Sequence, residues 1–313
     1  MSTVPEEPRT NTEFAMRFST GRPVVLGVTE IPPNPQILHF VEASKDFEQL
    51  LQHPTVSAVS INGVSIDREA HRALEAAAAQ LLRVRFLQVW NCSKFDLGLL
   101  TLFPGLEYLQ LAHKNARNDT WAPLSKLSKL KGLFLVDATR LESLELCQHL
   151  GGELNTLSVL GARSLKMVAG IERVKESIRN LTLWGALEHP PRRRFGDLKV
   201  DAIGNLTQLR SLSLSGLEVD ETELREVLRR VRQLEDLELD PWQFDMRVYA
   251  RLRMIAPKVR CAALNASIAA GDAVLPVGKG TKIIKRSSAN FEAEYGRVLA
   301  NWDEATRAAR ELE

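Results

Sequence analysis

Residues 130–161, LKGLFLVDATRLESLELCQHLGGELNTLSVLG, contain the pattern that decides the fold. Leucine or valine fills the first, fourth and sixth positions of two hexads, which begin at Leu130 and Leu154. Because successive side chains of a strand point to opposite faces, such a hexad predicts a short strand with one apolar face. A third hexad, which begins at Leu141, fits the same pattern. One hexad arises easily by chance in a leucine-rich chain, so the register of all the hexads must identify the strands.

Hexads of this kind recur along most of the chain. With Leu130 and Leu154 included, they begin at Val56, Val84, Leu106, Leu130, Leu154, Ile178, Leu209 and Leu234, and a degraded one begins at Val259. The successive steps are 28, 22, 24, 24, 24, 31, 25 and 25 residues. Leu141 lies only 11 residues after Leu130, too few for a full coil. Its hexad is therefore predicted to lie on the outer side of a coil, with Glu142 and Glu145 in solvent.

The segments between hexads carry apolar residues at every third or fourth position, which predicts a short helix or 3-10 turn in each coil. Together with the hexads, they resemble the leucine-rich repeat family over residues 56–264. The resemblance implies an α/β solenoid with a curved parallel β-sheet on the concave side and short helices or 3-10 turns on the convex side. At the ninth repeat position, where the family usually has Asn or Cys, only Cys92 conforms.

The two ends of the chain depart from the repeat and are predicted to be caps, because a solenoid otherwise exposes an apolar cross-section. We expect an N-terminal cap at residues 1–55, with a strand at 22–32 and an amphipathic helix at 37–54. About nine coils follow at 56–264, and a second cap occupies 265–313. This second cap is predicted to contain a hairpin at 272–286 and a helix at 288–313. That helix carries Phe291, Tyr295, Val298, Leu299 and Trp302 on one face. Whether it caps the last coil or binds a partner is left open.

The composition argues against several partner classes. The formal charge is +2, from 41 basic and 39 acidic residues, so we expect neither nucleic acid nor an anionic membrane as a partner. No basic segment followed by an apolar one begins the sequence, and no apolar run approaches the roughly 18 residues of a membrane span. These features predict a cytoplasmic protein. The three cysteines, Cys92, Cys147 and Cys261, are far apart and are predicted to be buried reduced thiols.

No motif for catalysis, a metal or a cofactor is apparent, so we expect no enzyme activity and no cofactor. The stretch GDAVLPVGKGT, residues 271–281, lacks the glycine spacing of a phosphate loop. The six histidines have no metal-ligand spacing. One alternative comes from the long coil that begins at Ile178, which contains EHPPRRRF at 188–195. In this alternative the chain is a GTPase-activator-like accessory of a nucleotide hydrolase. It would present Arg192, Arg193 and Arg194, with Asp137, to that hydrolase.

The third, fifth and seventh hexad positions are predicted to line the concave face. Over the seven coils from Val84 to Leu239, aromatics occupy five of these 21 positions, against roughly one expected from the 6% aromatic content. They are Phe86, Trp90, Tyr108, Phe134 and Trp184. The last strong coil adds the acids Asp236, Glu238 and Asp240. We predict that the aromatics bind a partner and that the acids orient it. The alternatives are that the N-terminal cap covers the aromatics and that the acids form a solvated rim.

These features predict a non-catalytic protein–protein interaction module that binds another protein through its concave face. Two alternatives remain open at this point. One is a regulatory accessory of a nucleotide hydrolase, and the other is a structural subunit of a stable complex.

Overall fold

The computed structural model describes most of the repeat region and parts of both ends. The described residues are 37–41, 58–63, 66–90, 92, 95–112, 121–186, 195–240, 243–244, 246–261, 268–269, 272–277, 280–285 and 291–311. Within them, nine parallel strands form one sheet in the order β1-β2-β3-β4-β5-β6-β7-β9-β11. These strands are Ile37–Val41 (β1), Ala58–Asn62 (β2), Phe86–Trp90 (β3), Tyr108–Ala112 (β4), Gly132–Val136 (β5), Thr156–Leu160 (β6), Asn180–Trp184 (β7), Ser211–Ser215 (β9) and Asp236–Leu239 (β11).

The hexads set the register of this sheet. Each of the eight hexads from Val56 to Leu234 becomes a strand that begins at its third position, so the predicted strands are confirmed. Third positions pair with third positions, as Phe86 does with Tyr108 and Tyr108 with Gly132. Of the degraded hexad, residues 259–261 are described, and Arg260 forms a parallel bridge with Asp236.

The first strand corrects a prediction. Ile37–Val41 is a strand paired in parallel with β2, although the sequence predicts an amphipathic helix from residue 37. In the register of β2, Leu38 and Phe40 fill the fourth and sixth hexad positions, while the first position falls on Pro35. Because proline replaces leucine at this first position, a search for leucine hexads does not find the strand. The predicted strand at 22–32 and the rest of the predicted helix lie outside the described residues.

The outer side of the coils consists of short helices, as predicted. The 3-10 helices are Leu97–Leu102, Ala122–Lys126, Glu145–His149, Ile171–Val174 and Asp201–Asn205. The α-helices are Arg68–Ala76 (α1), Ala78–Leu81 (α2), Glu221–Arg230 (α3) and Met246–Ile255 (α4). The Leu141 hexad therefore leads into a 3-10 helix, and Glu142 and Glu145 are exposed, which confirms the convex assignment.

Two regions extend beyond the repeating coil. Within the long coil, Phe195–Leu198 (β8) pairs in parallel with Leu217–Val219 (β10) of the next coil, forming a separate two-stranded sheet. The loop with Arg192, Arg193 and Arg194 lies outside the described part of the chain. Near the C-terminus, Ile268–Ala269 (β12), Asp272–Val277 (β13) and Gly280–Lys285 (β14) form an antiparallel sheet that contains the predicted hairpin.

The predicted C-terminal helix is also present, as Phe291–Glu311 (α5). It contacts α4 of the last coil and both strands of the hairpin. These contacts favour the role of a cap over that of a partner-binding arm. The side chains of its five predicted face residues are not among those described.

The core of the described residues is one continuous cluster that runs from Val59 to Cys261. Hexad positions one, four and six supply its inner layer, as with Leu130, Leu133 and Leu135. Burying one such leucine contributes about 1.5–3 kcal/mol, so each coil is stabilised mainly by its neighbours. All three cysteines are buried free thiols, as predicted, and burial raises the pKa of Cys147.

A left-handed turn ends several strands. The eighth repeat position has a positive φ at Gly63 (71°), Asp137 (59°), Gly161 (73°) and Gly216 (67°). Glycine adopts this conformation without steric cost, and Asp is one of the few other residues that tolerate it. This turn starts the chain on its path from the concave to the convex side in each of those coils.

Candidate functional site

Three rows of side chains cross the concave face, because the strands pair without register shifts. From β3 to β11, the third-position row and the fifth-position row each take one residue from every strand, and the seventh-position row takes the residue that ends the strand or, at Asp240, follows it. Neighbouring strands lie about 4.8 Å apart, so adjacent members of a row touch. Each predicted site residue therefore has a known neighbour on at least one side.

Much of the fifth-position row is satisfied by hydrogen bonds within the protein. Ser60 Oγ donates to Gln88 Oε1 at 2.8 Å, and Gln88 Nε2 donates to Gln110 Oε1 at 2.9 Å. At the other end, Ser213 Oγ donates to Glu238 Oε2 at 2.6 Å. These polar groups need no partner molecule to satisfy them.

Thr182, in the middle of the same row, is different. Its side chain is fully buried, and its Oγ1 has no hydrogen-bond partner among the described residues. An unsatisfied buried hydroxyl costs about 1–3 kcal/mol. This position is therefore a weak point of the concave face.

Three of the five predicted aromatics form a half-buried group at the N-terminal coils, which we call the aromatic patch: Phe86, Trp90 and Tyr108. Phe86 and Trp90 begin and end β3, and Tyr108 is the register partner of Phe86 on β4. These residues lie on adjacent strands and are partly accessible. They can therefore contact one partner at the same time.

Gly132 of β5 makes room for the edge of this patch. A methyl group on Gly132 would lie 2.7 Å from Tyr108 Cδ1 and 2.9 Å from Phe134 Cε2. Carbon atoms do not approach so closely, so any side chain here would displace one of the two rings. The glycine thus allows both rings to lie against the sheet.

The other two aromatics do not match the expectation of an exposed surface. Phe134 is 3% exposed and Trp184 is 4% exposed. The ring of Phe134 lies over Gly132, and Trp184 Nε1 donates to Ser213 Oγ at 2.7 Å. Both side chains already have protein neighbours, and neither is accessible to a partner in this conformation.

The predicted acid cluster is also divided. Asp240 is fully buried and therefore, unlike the exposed acid that the sequence suggests, is not accessible to a partner in this conformation. Its carboxylate accepts hydrogen bonds from Ser215 Oγ and from the Gly216 N–H, both at 2.7 Å, and its carbonyl accepts one from the Tyr249 hydroxyl. Asp240 therefore joins three segments of the last coils.

The two remaining acids are partly accessible. Asp236 accepts a hydrogen bond from Arg260 Nη2 at 2.7 Å, and Glu238 accepts the hydrogen bond from Ser213. Negative charge at this end of the concave face thus comes from Asp236 and Glu238. Both carboxylates are oriented by contacts within the protein.

An ion-pair ladder lies beside the aromatic patch. It was not predicted from the sequence. Arg85 Nε lies 2.6 Å from Glu107 Oε1, and Lys131 Nζ lies 3.0 Å from Glu107 Oε2. Burial alone would raise the pKa of Glu107, but hydrogen bonds from Arg85 and Lys131 outweigh it and hold the pKa below its ordinary value. The alternating charges at the second positions of three consecutive hexads are the sequence signal that reveals this ladder.

The described part of the chain lacks two other kinds of site. No group of three or more His, Cys, Asp or Glu side chains there is placed to hold a metal ion. None of the helices in the described ranges is long and apolar enough to cross a membrane.

Comparisons with known proteins give matches of structure but not of sequence. No protein-family model and no curated protein sequence matches the chain. An internalin of Listeria monocytogenes is similar with a TM-score of 0.45 and 14% identity, over 70% of this chain and 68% of that one. TLR13, in a TLR13–ssRNA13 complex, is similar with a TM-score of 0.46 and 15% identity, over 65% of this chain and 31% of that one.

A leucine-rich repeat protein of Leptospira interrogans has a TM-score of 0.21 and 11% identity, over 67% of this chain and 90% of that one. Such distant likenesses carry no argument about function. The fold assignment rests on the molecule itself, whose coils repeat a concave strand and a convex helix around a leucine core. By its hexads and by its coil geometry, the chain has a leucine-rich repeat fold.

Proposed function

We propose that the chain is a non-catalytic protein–protein interaction module that binds a partner protein through the N-terminal half of its concave face. The aromatic patch is the observation that carries this proposal. Large aromatic side chains are enriched at the energetic centres of protein interfaces, where partial exposure in the free protein leaves apolar area to be buried.

The surroundings of the patch support the same function. The ion-pair ladder adjoins it, since Glu107 immediately precedes Tyr108 and pairs with both Arg85 and Lys131. The neighbouring Gln88 and Gln110 are hydrogen-bonded to each other. A partner can therefore cover this region without leaving those amides unsatisfied, and the surface needs little reorganisation on binding.

Asp236 and Glu238 are proposed to orient the partner from the other end of the sheet. We infer a partner surface with basic residues opposite them. The proposal places the module in the cytoplasm, which suits three buried reduced thiols.

The test is a double substitution, Trp90→Ala with Tyr108→Ala, in the full chain. Pulldown from the native cell, followed by quantitative mass spectrometry, first identifies the partner, and titration then measures its affinity. We expect a loss of about 2 kcal/mol or more, roughly thirtyfold in Kd, because two central aromatics are removed. The melting temperature should remain close to that of the wild type.

Leu82→Ala with Met167→Ala is the matched control. These two apolar side chains are 58% and 45% exposed and lie outside the concave rows. The control should leave partner affinity unchanged. If the Trp90 and Tyr108 variant instead loses stability while partner affinity per folded molecule is retained, the patch is part of the core and the proposal is wrong.

A further inference from the structure

A second surface lies on the convex side, where α3 and α4 end. It is a cleft of about 900 Å³ between the C-terminal ends of these helices and the turns that follow them. This volume is within the range of about 300–1,000 Å³ that is usual for ligand sites. Its lining combines an apolar floor with a basic rim. The rim consists of Arg225, Arg229, Arg232 and Lys258.

The rim carries cations on both walls. Arg225, Arg229 and Arg232 belong to α3 and its turn, whereas Lys258 follows α4. The described residues that line the cleft include no carboxylate. Arg229 contacts Glu226, and Arg225 lies 4.0 Å from Glu221, both on α3 itself.

Arg232 and Lys258 differ from these two arginines. Both are exposed, and neither has an ion pair with any residue in the described ranges. Basic residues in the last turn of a helix stabilise its negative end, which accounts for Arg229. Arg232 and Lys258 lie beyond the helix ends, so this effect does not account for them.

The floor determines what kind of anion fits. Leu228, Val231 and Leu234 are buried beneath the cleft, while Met254 and Ile255 are half-exposed. The partial negative charge at the two helix ends disfavours a compact phosphate, which prefers helix N-termini. A ligand with an apolar surface for the floor and separate negative charges beside the two walls is complementary to this lining.

We propose that this cleft binds an acidic amphipathic helix of another protein. An apolar stripe flanked by Asp or Glu on both sides is complementary to a floor with cations on both walls. The cleft lies on helices of the last coils, so this second surface is independent of the aromatic patch. One can fail without the other.

Methionine methyl NMR on the full chain tests the proposal. Of five methionines, Met254 lines the cleft, whereas Met167 is 45% exposed elsewhere and serves as an internal reference. Met254→Leu assigns the signal. The probes are a stapled 18-residue model helix with a leucine stripe flanked by Glu, the same helix with Lys in place of Glu, and anionic phospholipid vesicles.

We expect the Glu helix to shift the Met254 signal, to leave Met167 unchanged, and to bind more weakly as salt increases. Arg232→Glu with Lys258→Glu should weaken this binding by about tenfold, because each reversal replaces an attraction with a repulsion. Arg173→Glu with Lys175→Glu makes the same charge change on exposed residues of another coil and should leave the affinity unchanged.

Several outcomes would overturn the proposal. The Glu helix could fail to shift Met254 at millimolar concentration, or the Lys helix could shift it equally. The reversal at Arg232 and Lys258 could leave the affinity unchanged. A shift produced by the vesicles but not by the Glu helix would assign the cleft to a membrane surface instead.

Discussion

The N-terminal and C-terminal halves of the concave face use the same strand register in different ways. In β3 and β4 the concave positions hold three aromatics, two amides and Ala112, and the aromatics remain half-exposed. In β9 the third, fifth and seventh positions are all serines, and all three are buried. Two of these serines bind carboxylates of the next coil, Glu238 and Asp240. The register thus determines where a side chain lies, whereas its size and its hydrogen bonds determine whether it is available to a partner.

The largest expected effect comes from breaking the C-terminal arrangement at Asp240. Asp240→Ala should lower the free energy of unfolding by about 3 kcal/mol, because Ser215 and the Gly216 N–H lose a buried charged acceptor. Urea unfolding measures the loss. Asp236→Ala, which removes a partly exposed ion pair with Arg260, is the matched control and should cost less than about 1 kcal/mol. Equal losses would contradict a structural role specific to Asp240.

The N-terminal arrangement can be broken at Gly132. Gly132→Ala places a methyl group against Tyr108 and Phe134 and should cost about 1–3 kcal/mol. It should also weaken partner binding, since the ring of Tyr108 must move. Gly152→Ala is the control, because no atom lies within 4 Å of the new methyl group. Unchanged urea midpoints for both variants would show that the rings are free to move aside.

A smaller effect on stability is expected from threonine-to-valine changes on the concave face, and it should differ between Thr182 and Thr156. Thr182→Val should stabilise the protein by about 1 kcal/mol, because it removes a buried hydroxyl that has no hydrogen-bond partner. Thr156→Val should not stabilise it, since Thr156 Oγ1 donates to Asn155 and accepts from Asn180. Thermal unfolding of the two variants checks the difference. Destabilisation by Thr182→Val would show that this hydroxyl is satisfied.

The smallest effect concerns the charge of Glu107. Its pKa is lowered from the ordinary value of 4.5, so the ion-pair ladder contributes its full stability above that pH and loses it as the pH falls through the folded-state pKa. The pH dependence of the urea midpoint below about pH 4.5 should be shallower for Glu107→Gln than for the wild type. Glu142→Gln is the control, since Glu142 is exposed and its ion pair with Lys166 is long, at 3.8 Å. If the urea midpoints of Glu107→Gln and the wild type depended on pH in the same way, the ladder would not contribute to the stability of the N-terminal coils.

The strands were predictable because leucine spacing reports directly on a buried strand face. Eight hexads became strands at the predicted positions, and Ile37–Val41 was missed because Pro35 falls in the leucine position. The convex placement of the Leu141 hexad followed from its register alone.

Exposure within the candidate site was less predictable, since it depends on neighbours in other coils. Phe134 is buried beside Gly132, and Trp184 is hydrogen-bonded to Ser213, a residue 29 positions away. Asp240 resembles a surface acid in sequence, and its role appears only with Ser215 and Gly216 beside it. The basic cleft likewise needs the turns of two coils, which bring Arg232 and Lys258 to one surface.

The chain-order stacking of parallel strands also has a mechanical consequence. When the protein is pulled by its two ends, the load falls first on the outermost coils, because each strand of the main sheet is bonded only to its immediate neighbours. Each released coil of 24 residues lengthens the chain by about 80 Å at roughly 3.4 Å per residue. The molecule should therefore extend in steps, and a partner bound across several strands would act as a clamp that holds those coils together under tension.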